Sequence, residues 1–299
     1  MTTKNNPLAL LYAGTVLILW ASVASAFKIA LSFLTPFELL FLSTLFSSLT
    51  LSLFMLSGKR FRHIKRLSKK NICKLLIAGV LNPTIYYLLL FKAYDMLPAQ
   101  FAQAVNFTWP LVMALFSMFL KQEKFNILRI AALCISFAGV LVLVLGGKRM
   151  PGGVSMPGIL LAFSTAFIWT FYWLTAKTIK VDAITSLWIP FTTGALILSV
   201  FAVFFFRPGT LTIHGIAAAG YVGLFEMSIT FLLWLNALRR ASSTALVSNF
   251  IYAVPFLSLL FIRFILDETI LPTTVIGLIL ITGGIITQMI VHVSDKSGP

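Results

Sequence analysis

The chain has 299 residues, 59% of them hydrophobic and only 10% charged, where a soluble domain carries about 25% charged residues. Water is thereby excluded as the solvent of most of its surface. The net charge of +15 invites a nucleic-acid reading, which the placement of the charges argues against.

In chain order the first half offers apolar runs at 8–31, 35–57, 72–94, 98–120 and 127–147. The second half offers 157–179, 183–206, 215–237, 243–266 and 270–292. Each is near the ~20 residues that carry a helix across ~30 Å of hydrocarbon. The prediction is an all-α polytopic membrane protein of ten transmembrane helices. The first run follows Lys4 and contains Ala24-Ser25-Ala26, a pattern that a cleaved signal peptide also shows. Its Trp20 and Lys28 recur as Trp169 and Lys177 in the sixth run, which cannot be a signal, so the first run is read as a retained span.

That recurrence is general. The stretch around Pro110 returns around Pro255 at a shift of 145. Phe116/Phe261, Phe119/Phe264, Glu123/Glu268 and Gly139/Gly284 follow the same register. A repeat of five spans inserts upside down relative to its copy, the organisation of many secondary transporters. The halves meet at Gly146-Gly147-Lys148-Arg149-Met150-Pro151-Gly152-Gly153, which breaks the fifth helix and places the repeats at 1–150 and 151–299. Thr35-Pro36, Leu97-Pro98, Arg207-Pro208-Gly209 and Leu271-Pro272 mark span starts, where a missing N–H costs little. Pro83, Pro110 and Pro255 lie inside spans; each frees a carbonyl that a cavity or neighbouring helix must satisfy. Pro110 and Pro255 are read as kinks that shape and gate a central cavity, with a static bend as the alternative.

With the N-terminus inside, seventeen of the 23 Lys and Arg fall at cytoplasmic ends. This bias predicts a bacterial inner-membrane protein with both termini cytoplasmic. The basic loop Lys59-Arg60-Phe61-Arg62-His63-Ile64-Lys65-Arg66 then anchors topology beside the anionic lipid bilayer. The longest connection, 58–71, leaves no room for a catalytic domain. Cys73 and Cys134 form no disulfide framework, and His63, His214 and His292 no metal cluster. No cofactor or metal is expected.

Membrane depth selects the site candidates. Trp20, Trp109 and Trp169 fall near the midplane, where tryptophan is unusual because its N–H prefers the wet interface. Trp169, Tyr172 and Trp173 share one helical face, a stripe that suits packing or a stacking wall for flat apolar or cationic solutes. Asn82, Asn106, Asn236 and Asn249 place amides in spans three, four, eight and nine, either tying helices together or facing a ligand. Asn106, beside Trp109, is the first choice as a ligand-facing amide. Glu226, in Gly223-Leu224-Phe225-Glu226-Met227-Ser228, is a carboxylate at mid-depth. It must face the interior, be protonated or be paired. Its open roles are a coupling proton, a substrate amine or a structural pair with Lys92 or Lys28. Glu123 and Glu268 fall at span ends and are read as helix-terminus and loop residues.

Ala-x-Asn-Phe-x-Trp-Pro around Val105–Pro110, then Leu115-Phe116-x-x-Phe119-Leu120-x-x-Glu123, resembles the drug/metabolite transporter superfamily of EamA type. Asn249-Phe250-x-Tyr252-x-x-Pro255 through Glu268 and Gly277 looks like its second copy. The resemblance spans nearly the whole chain. Val105-Asn106-Phe107-Thr108-Trp109-Pro110 and Ala166-Phe167-Ile168-Trp169 look most like the YddG-type aromatic amino acid exporter branch. That resemblance implies two inverted EamA-type repeats of five helices, and a central cavity lined by helices one, three, four, six, eight and nine. It also implies export from the cytoplasm. By position it points to Trp20, Asn106, Trp109 and Trp169; Asn82, Tyr86, Trp173, Glu226 and Asn249 complete the substrate-binding set. Glu226 stands outside the family motifs and favours a cationic or amine-bearing substrate.

The expectation is a secondary exporter, not an enzyme, that moves an amino acid or related amine by alternating access. It would work as a monomer or weak dimer, with coupling protons as an open partner. Drugs or quaternary cations are an alternative substrate class. A phosphorylated-metabolite exchanger would need mid-depth cations that are missing. A membrane-embedded lipid enzyme would need paired carboxylates with a metal or a His–acid pair, and no such cluster is seen.

Overall fold

In hydrocarbon every backbone N–H and C=O must find its partner within the protein, so an apolar chain of this kind folds as helices. The computed structural model describes residues 7–56, 64, 67–119, 127–147, 154–179, 181–207, 209, 211–241 and 250–297. Among the described residues all regular structure is helical. The elements are α1 (Pro7–Leu31), α2 (Pro36–Leu56), α3 (Lys69–Gly79), α4 (Tyr86–Met96), α5 (Ala99–Asn106), α6 (Trp109–Phe119) and α7 (Ile127–Gly147). They continue with α8 (Met156–Lys177), α9 (Ala183–Phe205), α10 (Ile213–Tyr221), α11 (Thr230–Arg240), α12 (Val254–Leu266) and α13 (Pro272–Ser297).

Eight helical stretches are long and apolar enough to cross a bilayer, with Phe250–Leu266 as a shorter ninth. The remaining predicted span, 98–120, is broken into α5 and α6. The starts follow the expected chemistry. Pro36 and Pro272 open α2 and α13, and Pro98 precedes α5. Thr35 and Glu38 form a reciprocal capping box at α2. Ser155, Asp182 and Thr212 cap α8, α9 and α10. The basic loop (other than Ile64) and the 148–153 junction lie outside the described residues.

The packing repeats the sequence repeat. Under the exchange of spans one with six, two with seven, three with eight, four with nine and five with ten, each major contact has its mate. α1 packs on α12, and α8 on α5 and α6. α1 packs on α11, and α8 on α4. α2 lies against α9, and α7 along α13, each pair mapping onto itself. Lipid offers no hydrophobic drive for helix association, so small residues and side-chain hydrogen bonds bring these helices together. A Cβ at Gly139 would stand 2.6 Å from the Gly277 carbonyl, and one at Gly284 would collide with the Ala132 carbonyl. These two approaches are repeat mates. Ser43 and Ser47 of α2 donate to the Ala219 and Met227 carbonyls, each at 3.1 Å.

The third span kinks at the in-span Pro83, where Asn82 is extended (φ −141°, ψ 119°). The eighth, which no proline foretold, loosens into wider, π-type turns at Val222–Ile229. The freed carbonyls are met locally by a hydroxyl five residues on. Thr84 donates to Gly79 O at 2.9 Å and Ser228 to Gly223 O at 2.8 Å. The prolines correct the expected kinks. Pro110 and Pro255 do not bend continuous helices; each is the second residue of a helix that restarts after a break, α6 after Phe107–Thr108 and α12 after the 3₁₀ turn Phe250–Ala253. There the missing N–H costs nothing.

Gly139→Leu and Gly277→Leu are each expected to lower stability by about 1–3 kcal/mol through overpacking. Gly14→Ala, whose Cβ meets nothing within 4 Å, is expected to be neutral or mildly stabilising. Thermal unfolding in detergent distinguishes them; equal loss in all three would contradict the close α7–α13 approach.

Candidate functional site

The four interrupted spans face one another and leave a cavity of about 590 Å³ between them and α1, α8 and α9, within the range of small-molecule sites. Its walls are aromatic. Trp169 stacks on Tyr172 at 5.5 Å and meets Tyr86 at 4.7 Å and Phe231 at 5.8 Å between ring centres. Phe231 continues to Trp20 at 5.9 Å, and Trp20 to Trp234 at 5.4 Å. Such edge and offset contacts hold rings rigidly while leaving faces for a flat or cationic guest.

Polar atoms are few and placed one by one. Asn106 Nδ2 donates to Thr165 Oγ1 at 2.8 Å and to the Tyr86 hydroxyl at 3.1 Å. Tyr94 donates to Gln103 Oε1 at 2.6 Å. Glu226, 8% exposed, accepts from the Tyr87 hydroxyl at 2.9 Å through Oε1. Its Oε2 makes no hydrogen bond, with the Trp20 indole beside it. Pairing with Lys28 or Lys92 does not occur. Lys28 donates to the Tyr94 and Leu97 carbonyls, and Lys92 pairs with Asp95. Among the described residues no group of three His, Cys, Asp or Glu is placed to hold a metal ion.

The two ends of the cavity differ. One reaches Ile179, Val181 and the exposed Arg239. The other stops at Phe27, Leu90 and Tyr94. Phe27 meets Phe91 at 4.8 Å and Tyr94 at 5.2 Å there, all buried.

The model of the EamA-like transporter family matches residues 7–145 and again 156–289. This chain belongs to the EamA-like transporter family. Its relatives include the uncharacterized transporter YvbV of Bacillus subtilis, 27% identical over 93% of this chain and 90% of that one. An uncharacterized transporter of Archaeoglobus fulgidus is 28% identical over 94% and 96% of the two chains. The aromatic amino acid exporter YddG of Ancylobacter novellus is 28% identical over 58% and 61%. A solved crystal structure, 22% identical, superposes with a TM-score of 0.68 over 97% of this chain and 99% of its own, a likeness of fold. Family and relatives point to a transporter rather than an enzyme.

In this EamA-like protein the cavity gathers Trp20, Tyr86, Asn106, Trp109, Trp169, Trp173 and Glu226 from the predicted set. Asn82 is fully buried outside the lining, next to Tyr172, and its amide makes no hydrogen bond. Asn236 turns back to the Leu232 carbonyl at 2.8 Å. Asn249 lies outside the described residues, as does Glu123. Phe231, Trp234, Tyr94 and Gln103 were not anticipated. The repeat register held the signal for the first of them. The shift of 145 carries Tyr86 to Phe231, Leu90 to Leu235 and Phe107 to Tyr252; the shift of 149 carries Trp20 to Trp169 and Val23 to Tyr172. Every one of these residues lines the cavity.

Tyr87→Phe is expected to cost about 1–3 kcal/mol by stranding the Glu226 carboxyl. On a Glu226→Leu background it is expected to cost close to nothing. A double-mutant cycle of thermal unfolding checks this; additive costs would mean that the two groups do not interact energetically.

Proposed function

We propose that this protein is a secondary exporter of a small organic amine, an amino acid in the first instance, working by alternating access. The observation that carries the reading is an aromatic cavity at mid-membrane with one carboxyl oxygen, Glu226 Oε2, left without a hydrogen-bonded partner. A buried polar atom of that kind is costly unless a ligand or a proton completes it. An ammonium group or a proton would complete it, while the rings of Trp20, Tyr86 and Trp169 accommodate an apolar or aromatic body. The name of the aromatic amino acid exporter relative supports the same class.

The bias of Lys and Arg supports a bacterial inner-membrane topology with both termini cytoplasmic. On that topology the Arg239 end of the cavity faces the cytoplasm, as loading for export requires. Halves 1–150 and 151–299 would rock about the cavity, each monomer holding its own site. Protons are the proposed coupling partner, through Glu226. For solute or proton to drive the cycle, each must bind the two states unequally.

A second reading is favoured by the same carboxyl among aromatic faces: a quaternary ammonium or drug-like cation with no carboxylate. A phosphorylated solute is less well served, since Arg239 at the open end is the lone cation among the described lining residues.

Proteoliposomes preloaded with a mixed amino acid pool, offered labelled Trp, Phe, Met, Thr or Lys, are expected to accumulate at least one by counterflow. Accumulation of a labelled quaternary ammonium alone, in vesicles preloaded with the same unlabelled cation, would select the second reading. No accumulation by folded protein in either orientation would sink both. Glu226→Gln is expected to weaken counterflow of every amine substrate, while the net export that remains stops responding to a pH gradient. An unchanged pH response would remove Glu226 from coupling.

A further inference from the structure

Two charged side chains whose repeat mates stand out in the sequence take no part in the cavity. Lys28, near the end of α1, directs its ammonium onto the carbonyls of Tyr94 and Leu97 at 2.9 and 3.1 Å. These are carbonyls at the C-terminal end of α4, where a cation is favoured by both hydrogen bonding and the helix dipole. Glu268, just after α12, accepts from the Ala99 and Gln100 amides at 2.7 and 3.4 Å. These are the first amides of α5, which Pro98 cannot cap with a side chain. A cation from one element and an anion from another thus hold the two sides of one turn, Met96–Ala99. That turn lies directly beyond Tyr94, at the stopped end of the cavity.

The approach of Glu268 is built in. Asp267 ends α12 in the left-handed conformation, φ 53°, a conformation Asp adopts more readily than most side chains. The chain reverses there and turns back toward α5. Gln100 then laces the same loop: its Nε2 donates to Thr269 O at 2.9 Å, and its Oε1 accepts from Leu271 N at 3.1 Å and Thr274 Oγ1 at 2.7 Å. The nearby pairs Lys92–Asp95 and Arg263–Asp267 are closed on themselves and do not compete for the turn.

We infer that Lys28 and Glu268 are gate residues of the transport cycle, clamping the α4–α5 turn between opposite charges to seal this end of the cavity. The inference rests on the alternating-access reading. Charge-assisted hydrogen bonds are among the stronger polar contacts, yet these charges remain partly exposed and can exchange their partners for water when the turn moves. That combination suits a contact that must form and break in every cycle. The sequence carries both charges a second time, as Lys177 and Glu123, in a repeat that inserts upside down.

The test reads accessibility and needs no substrate, so it fails or succeeds separately from the transport assay. In the full chain with Cys73 and Cys134 replaced by alanine, one cysteine is placed at Ala102, fully buried on α5. A membrane-impermeant maleimide is applied from the Lys28 side. Labelling is expected to be slow in the parent. It is expected to rise roughly tenfold in Lys28→Met and in Glu268→Gln, the scale on which losing a charge-assisted hydrogen bond shifts a two-state balance. Lys28→Arg, which keeps the charge, is expected to stay near the parent. Glu123→Gln, in repeat register with Glu268, is expected not to raise labelling. A control cysteine at Ala132, buried on α7 away from the turn, should remain unreactive in every variant. Unchanged labelling at position 102 in both neutralised variants overturns the inference. So does an equal rise at position 132, which would mean general loosening, or an equal rise at position 102 in Glu123→Gln.

Discussion

Everything in this structure depends on how a backbone interrupted inside hydrocarbon satisfies its polar groups. A cavity between helices needs helices that are bent, widened or broken, and each such departure strands N–H and C=O groups where water cannot be assumed. The chain meets them with short hydroxyl side chains and with prolines that have no N–H to strand. Thr84 and Ser228 return to carbonyls five residues back, and Thr108 to Val105. Pro110 and Pro255 stand where a helix begins again. Because these repairs are local, four spans can be irregular at once without the bundle losing its close packing elsewhere, as along α7 and α13.

The scaffold is close to two-fold symmetric, and the chemistry placed on it is not. Glu226 corresponds to Leu81 and Asn106 to Ile251. The lining therefore joins paired aromatic positions, which make the shape, with unpaired polar ones, which give it polarity. Rings are distributed over both halves, while the carboxyl of Glu226 and the amides of Gln103 and Asn106 come from single positions. Shape belongs to the repeat, selectivity to its exceptions.

Much of this was legible in the chain itself. The doubling of Trp20/Lys28 and of the Pro110 region located two five-span halves and their inverted relation, and depth alone picked out Trp169, Asn106 and Glu226, all of which line the cavity. What escaped had physical reasons. A π-type turn leaves no signature in composition, because the same apolar residues serve either winding. A proline at a restart and a proline at a kink look alike until the preceding hydrogen bonds are known. The partner of Glu226 could not be guessed from charge, since it is a phenol from another span and not a lysine. Glu268 looked like an ordinary loop acid because the amides it caps belong to a helix 169 residues away.

Gln100 has one more consequence. Its repeat counterpart is Ala245, which has no amide with which to lace an opposing loop. Under the proposed alternating access, this difference biases the empty carrier toward the laced conformation. The apparent affinity at each membrane face is the intrinsic affinity reduced by the fraction of molecules open to it. Under that reading the same face stands open between cycles, and the two faces present unequal half-saturation concentrations for one and the same solute.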